Sequence, residues 1–217
     1  MNDILKIYVF NKKQNSCLFI ISTLSIALML LRVKATHNIY LMFLLWNLFL
    51  AYIPYLISSN IKNDIAKRKL NPFFYIKLGI WLLFLPNSFY LITDFVHLHH
   101  INTIQYLYDA MLFSCFTMAG FYAGILSVYE IQKAIKSVFY SKKAESFIIV
   151  TCFLSAFGIY LGRVLRFNSW DVISNPMLLF DSMINSLFQI EAIVFTLLLG
   201  AFILATYKVT YNLILKK

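Results

Sequence analysis

The chain is organised around the stretch GIWLLFLPNSFYLITDFVH, residues 79–97. This apolar run is long enough to enter a bilayer, but Pro86 interrupts it and Asp94 and His97 close it. Proline removes one backbone donor inside a helix, and in hydrocarbon a neighbouring polar group has to compensate, for which Asn87 is the nearest candidate. Asp94 and His97 share one face if the helix continues. The stretch therefore predicts a kinked membrane helix that ends at a polar site.

Composition places the chain among polytopic membrane proteins. Of its 217 residues, 61% are hydrophobic and 13% are charged, whereas a soluble domain is typically about half apolar and about a quarter charged. The apolar runs also lack the polar face of a soluble amphipathic helix. They predict an all-α transmembrane bundle and one integral membrane domain over residues 1–217, with six spans near residues 15–32, 39–57, 73–94, 110–129, 147–163 and 190–207.

The distribution of lysine and arginine predicts the orientation of this bundle. With six spans, fifteen of the 19 basic residues fall on the side of the two termini, and four fall on the other side. Because short cytoplasmic loops carry the excess of basic residues, we expect both termini in the cytoplasm and the protein in the cell membrane. The first run follows Lys12 and Lys13 as in a signal peptide, but it lacks a small-x-small cleavage site and is expected to be a retained helix. The net charge of +10 is spread over short loops, which argues against a nucleic-acid partner.

Residues 177–189 predict a further helix that does not cross the membrane. Apolar and polar side chains recur there with a helical period, and Pro176 stands at a favoured first-turn position. We expect an amphipathic helix in the outer membrane interface. The alternative is a helix that caps the bundle and contacts little lipid.

A second polar motif, GIYLGRVLRFNSWD at residues 158–171, is predicted on the same outer side. It begins with a Gly-x-x-x-Gly at Gly158 and Gly162, and the fourth span carries another at Gly120 and Gly124. Such spacing lets helices approach closely. The two motifs predict close packing of the fourth and fifth helices.

Two arginines follow the glycines of the second motif. Arg163 and Arg166 lie three residues apart and face the same way if the helix continues. A guanidinium group binds a carboxylate or a phosphate through two parallel hydrogen bonds. The residues from Asn168 to Asp171 then predict a turn or a helix start.

Both polar motifs carry a resemblance to a known family. The stretches LPNSFYLITDFVHL at residues 85–98 and YLGRVLRFNSWD at residues 160–171 resemble the Domain of Unknown Function 1361 family, whose members are predicted integral membrane proteins of bacteria. The resemblance extends from the third span to the end of the fifth loop. It implies an uncharacterised bacterial membrane protein and no particular activity.

Two hypotheses for the outer side concern the arginines. In the first, the two arginines pair with Asp94 and Asp171 and lock the helix ends, since buried charges need partners. In the second, they bind an anion together with Asn87 and Asn168. The ligand would most naturally be a lipid head group, because intramembrane charges mark functional sites.

Two further hypotheses concern catalysis and transport. Asp94 and His97 are the candidate acid/base pair of an intramembrane lipid-handling enzyme, and the broken third helix would suit a small transporter. A metal site would need His99 and His100 to converge with this pair, but adjacent residues of a helix point about 100° apart. No metal and no cofactor is therefore predicted.

Overall fold

The structure is a computed structural model that describes residues 2–66, 72–98, 103–137 and 141–215. Helices account for most of these residues: α1 (Asn2–Thr36), α2 (Phe43–Ala66), α3 (Pro72–Tyr90), α4 (Thr103–Lys136), α5 (Ser141–Arg163), α6 (Asp171–Ser174), α7 (Pro176–Ser186) and α8 (Ile190–Thr210). Short 3-10 turns, Tyr40–Met42 and Leu91–His97, precede α2 and follow α3. A π turn, Tyr211–Leu215, follows α8.

The prediction of a six-span all-α bundle is confirmed. Within the described ranges, six helical segments are long and apolar enough to cross a membrane: Lys13–Thr36, Tyr40–Lys62, Pro72–His97, Ile104–Lys136, Lys142–Arg163 and Ile190–Leu213. The protein is accordingly an integral membrane protein whose apolar outer surface faces lipid. The predicted helix at residues 177–189 is also present as α7, with Pro176 in its first turn.

Several helices extend beyond the apolar runs that predicted them. α4 begins at Thr103 rather than near residue 110, and α5 begins at Ser141 rather than near residue 147. An apolar run marks only the part of a helix that lies in hydrocarbon, while the hydrogen-bonded backbone continues through the polar interface. As a result, Asp109 lies within α4 and not in the loop before it.

α4 is the central helix of the bundle. In an 18-residue stretch of its span 61% of the residues are buried, compared with 22% in such a stretch of the first and of the last span. It packs against α1, α2 and α3, and Phe113, Phe116 and Ile131 are fully buried on it. α8 packs mainly on α5 at the periphery, and α3 packs against both α4 and α5, which also contact each other.

The glycines of α4 let α3 approach closely. A Cβ atom added at Gly124 would lie 2.8 Å from Ser88 Cβ, and one at Gly120 would overlap the Leu91 side chain. The Ser88 hydroxyl, buried at this crossing, donates to the Ala51 carbonyl of α2 at 2.7 Å. Small residues therefore bring α2, α3 and α4 together around one buried hydrogen bond.

The glycines of α5 also face α3. A Cβ atom at Gly158 would lie 2.7 Å from Pro86 Cγ, and one at Gly162 would lie 3.3 Å from Tyr90 Cε2. α4 and α5 do contact each other, but the glycines of both motifs face α3, each motif from its own side. The spacing of glycines marks a close contact but does not select the partner helix.

Both ends of the bundle contain ion pairs between helices. At the end that we call the lysine end, Lys62 Nζ lies 2.6 Å from Glu130 Oε2, and Lys77 Nζ lies 2.6 Å from Asp64 Oδ2. Glu130 stands three residues before Lys133 on α4, a spacing that would allow an ion pair within the helix. Glu130 instead pairs across to α2, because α2 and α4 pack side by side.

The opposite end, which we call the site end, contains a buried ion pair that the sequence analysis did not predict. The side chains of Arg32 on α1 and Asp109 on α4 are 5% and 0% exposed. Arg32 Nε and Nη2 donate to the two carboxylate oxygens, each at 3.0 Å, and Nη1 donates to the Asn38 carbonyl at 3.1 Å. The sequence did contain an indication of this ion pair, since Arg32 and Asp109 both flank apolar runs on the same predicted side of the membrane.

Candidate functional site

The candidate site lies where α3 stops being a regular helix. Pro86 lies inside α3, and the 3-10 turn Leu91–His97 follows directly. The side-chain amide of Asn87 donates to the Phe84 carbonyl at 3.1 Å and to Ser169 Oγ at 3.0 Å. Asn87 therefore binds a carbonyl of α3, that of Phe84 and not that of Leu82 four residues before the proline, and links α3 to the segment after α5.

Arg163, the last residue of α5, is bound by the 3-10 turn. Its Nη2 donates to Asp94 Oδ1 in an ion pair. Its Nε donates to Thr93 Oγ1 at 2.9 Å, and its Nη1 lies 3.1 Å from His97 Nε2. The guanidinium carbon lies 4.3 Å from the centroid of the Tyr90 ring, within the range of a cation–π contact. Arg163 thus joins α5 to α3, as the ion-pair hypothesis expects.

Asp94 and His97 are linked through Arg163 rather than to each other. Asp94 is 1% exposed, and its Oδ2 accepts a hydrogen bond from Asn47 Nδ2 at 2.8 Å. Because arginine can only donate, His97 Nε2 is the acceptor, which assigns the ring proton to Nδ1, 3.5 Å from the Tyr40 hydroxyl oxygen. Both groups proposed for acid/base chemistry therefore already hold partners.

Arg166 has a different environment from Arg163. The sequence predicted that the two arginines share one helix face. The helix ends at Arg163, however, so Arg166 is not on it. Arg166 has a φ of 61°, a left-handed conformation that non-glycine residues rarely adopt, and the Phe167 N–H donates back to the Leu161 carbonyl at 3.1 Å. Within the part of the chain that the structure describes, Arg166 has neither an ion pair nor a hydrogen bond through its side chain.

Asp171, the predicted partner of Arg166, binds the backbone instead. Its Oδ2 accepts from the Asn168 N–H at 2.6 Å and its Oδ1 accepts from Ser174 Oγ at 2.8 Å. These hydrogen bonds stabilise the carboxylate and hold the pKa of Asp171 below its ordinary value. Asp171 therefore fixes the turn that carries Asn168 and Ser169 and leaves Arg166 unneutralised.

A cavity of about 910 Å³ lies between α2, α3, α5 and α7 and contains most of the predicted site residues. Its polar part lies at the site end. The polar groups that line it are Asn47, Asn87, His97, Arg163, Arg166, Asn168 and Ser169. The two motifs, about seventy residues apart in the chain, therefore meet around one volume as the sequence predicted.

The other part of the cavity is apolar and lies deeper in the bundle. α3 contributes Gly79, Leu82, Leu83 and Pro86, α2 contributes Leu50, and α5 contributes Leu154, Phe157, Gly158 and Leu161. α7 contributes Leu179 and Met183. The helix predicted for the interface thus forms one wall of the cavity, and its remaining apolar side chains are exposed as in a lipid-facing helix.

Sequence reasoning missed several residues of the site. Trp46 and Trp170 line the cavity and are 54% and 46% exposed. Ser169 and Thr93 supply hydrogen-bond partners, and Gly79 leaves its deep part open. All of these residues except Trp46 lie inside the two quoted motifs, which could have indicated that they belong to the site. Their hydrogen-bond partners were not predictable from the sequence.

His99 and His100, weighed as metal ligands, lie outside the described residues. Among those that the structure does describe, no group of three or more His, Cys, Asp or Glu side chains comes together.

Fold and cavity together define a polytopic α-helical membrane protein with an arginine-lined cavity at one end of its bundle. The chain belongs to the family described as "Protein of unknown function (DUF1361)", whose model matches residues 46–206. That range contains every residue that lines the cavity. No match was found among curated proteins or among solved structures.

Proposed function

We propose that this protein binds an anionic head group, a phosphate or a carboxylate, at the polar end of the cavity and acts as a lipid-binding or lipid-handling protein. The observation that carries the proposal is the state of Arg166. It lines the cavity, it has no counter-ion among the described residues, and its backbone adopts an uncommon conformation. Uncommon backbone conformations persist where the surrounding structure maintains them and concentrate at ligand sites.

The surroundings of Arg166 suit an anion. Asn168 and Ser169 line the same part of the cavity and supply an uncharged amide and a hydroxyl donor, while Asn87 already donates both of its amide hydrogens, to the Phe84 carbonyl and to Ser169 Oγ. Asp94 is paired with Arg163, and Asp171 keeps its negative charge but binds the Asn168 N–H and the Ser174 hydroxyl rather than Arg166. The donors of the Arg166 guanidinium are therefore not used by either carboxylate, and a guanidinium group binds phosphate and carboxylate with two parallel hydrogen bonds.

The position of the cavity favours a lipid as the source of the anion. The cavity joins a polar end to an apolar part within the bundle, and the rest of the protein is embedded in lipid. The distribution of basic residues predicts that the site end lies on the outer side of the membrane. On this proposal, the ligand is a head group in the outer leaflet of the cell membrane.

Native mass spectrometry of the protein released from nanodiscs tests the proposal. The nanodiscs contain phosphatidylcholine with a small fraction of phosphatidic acid, and the wild type is compared with Arg166→Ala and with Lys34→Ala. Lys34 is a matched control because it is an exposed cation in the last turn of α1, at the same end, but does not line the cavity.

We expect phosphatidic acid to remain on the wild type and on Lys34→Ala and to be reduced about tenfold or more on Arg166→Ala. Hydrogen bonds to charged groups contribute about 1.5–3 kcal/mol, and 1.4 kcal/mol corresponds to about tenfold in affinity. Equal retention by Arg166→Ala and the wild type would refute the proposal. A similar loss in both variants would show only general attraction between anionic lipid and surface charge, and would also count against a specific site.

A further inference from the structure

We infer that the deep part of the cavity holds the hydrocarbon chain of the ligand, so that the protein binds an alkyl or isoprenoid phosphate or carboxylate with its chain between α3 and α5. This inference rests on the proposed function, since it concerns the same ligand. It adds the class of ligand, an amphiphile rather than a small soluble anion. It also assigns a role to Gly79, the residue at the deep end of the cavity.

The cavity follows one face of each helix from polar to apolar side chains. On α3 this face runs from Tyr90 and Asn87 at the site end to Leu83 and Gly79. At 1.5 Å per residue, Tyr90 and Gly79 are separated by about 16 Å along the helix, roughly half of the hydrocarbon thickness of a bilayer. A head group at Arg166 therefore leaves room below it for a chain and not only for water.

Gly79 has a different environment from the packing glycines. A Cβ atom added at Gly158 would lie 2.7 Å from Pro86 Cγ, whereas one added at Gly79 would find nothing within 4 Å. Gly79 is thus not required for close helix packing. Because glycine is a poor helix former, its presence within α3 needs another reason. Its missing side chain instead keeps the cavity open at this depth.

The deep end of the cavity opens towards the bilayer. Gly79 is exposed, and Leu154 on the facing helix is 46% exposed. Both residues lie within membrane-spanning segments, where the surrounding medium is lipid. A chain can therefore enter sideways from the leaflet while its head group reaches Arg166, without passing through water.

The test compares ethyl phosphate with dodecyl phosphate, which share the anionic group and differ only in the chain. Bound alkyl phosphate is counted by native mass spectrometry after release of the protein from phosphatidylcholine nanodiscs. The key variant is Gly79→Phe, which fills the deep end of the cavity. Gly79→Ala leaves most of that space open, and Ile80→Phe adds the same ring at the neighbouring exposed residue, which does not line the cavity.

We expect Gly79→Phe to reduce bound dodecyl phosphate about tenfold, because inserting bulk into an occupied space costs enough to change affinity by that factor. Ethyl phosphate should bind to Gly79→Phe as it does to the wild type, and both controls should bind both phosphates normally. If Gly79→Phe instead binds less of both phosphates, as a folding defect would cause, the effect is not specific to the chain and the assigned role of Gly79 is contradicted.

The outcomes separate this inference from the proposed function. If Arg166→Ala loses both phosphates while Gly79→Phe retains dodecyl phosphate, the anion site stands and the chain lies elsewhere. If Arg166→Ala retains both phosphates, the anion site fails and the chain assignment fails with it.

Discussion

Arg32 and Asp109, 77 residues apart in the chain, form a buried ion pair with two hydrogen bonds of 3.0 Å. The pair joins the end of α1 to the first part of α4, the central helix. Asp109→Ala should lower the free energy of unfolding by roughly 3–5 kcal/mol, because it leaves the Arg32 guanidinium buried without its counter-ion. Unfolding in mixed micelles with increasing sodium dodecyl sulfate measures this change.

The matched control for that prediction is the double variant Arg32→Leu/Asp109→Leu. It removes both charges together, and apolar replacement of a whole buried pair is often close to neutral. If the double variant unfolds as easily as Asp109→Ala, lost packing and not an isolated charge explains the effect.

Arg163→Ala should also destabilise the bundle, through Asp94. The substitution removes the donors to Asp94 and Thr93 and leaves a 1% exposed carboxylate with Asn47 as its remaining partner. Adding Asp94→Asn to Arg163→Ala should recover part of the stability, because the buried group is then neutral. Thermal unfolding in detergent measures both; an unchanged melting temperature for Arg163→Ala would exclude a structural role for Arg163.

Arg166→Gly should separate stability from binding. Glycine adopts a positive φ without the steric cost of about 1–2 kcal/mol that other residues meet there. Arg166→Gly should therefore be about 1 kcal/mol more stable than Arg166→Ala, while both lose the anion. His37 has a φ of 51° and does not line the cavity, so His37→Gly should gain stability with unchanged binding. Equal stability of Arg166→Gly and Arg166→Ala would show that the backbone there is not strained.

Gly158→Ala and Gly79→Ala should have opposite effects on stability. The added methyl group at Gly158 meets the rigid ring of Pro86, and overpacking of this kind costs typically about 1–3 kcal/mol. At Gly79 the methyl group meets no atom, and alanine favours the helix by up to about 1 kcal/mol. Unfolding in mixed micelles compares the two variants, and a similar loss in both would contradict the different packing of these glycines.

The turn at Asp171 should respond to acid. Hydrogen bonds from the Asn168 N–H and Ser174 Oγ lower the pKa of Asp171 in the folded chain from its ordinary value of 3.8. The stabilisation is therefore present above that ordinary value and is lost as the pH falls through the lower, folded value. Carbon-13 NMR of the Asp171 carboxyl group follows this titration. Ser174→Ala should move the pKa of Asp171 back towards 3.8, and an unchanged titration would show that this hydroxyl does not contribute.

Arg163 and Arg166 show most clearly which features of the site could not be predicted from the sequence. Their spacing suggested a polar site, and the structure places both around the cavity that Pro86 and Asn87 also line. Their separate roles were not predictable, because α5 ends between them and only Arg163 reaches Asp94. The end of a helix depends on the interactions of its last turn, which in this case come from residues about seventy positions earlier.

The sequence by itself determined the class of protein, the six spans and the gathering of both motifs at one end of the bundle. These features follow from hydropathy, which acts locally, and from the alternation of successive spans across a membrane. The tertiary structure decided that the glycines of α4 and α5 face α3, that Arg32 pairs with Asp109, and that Gly79 leaves a cavity open. Those features depend on which faces of different helices meet, and because all six spans are apolar on most faces, local sequence patterns do not determine that choice.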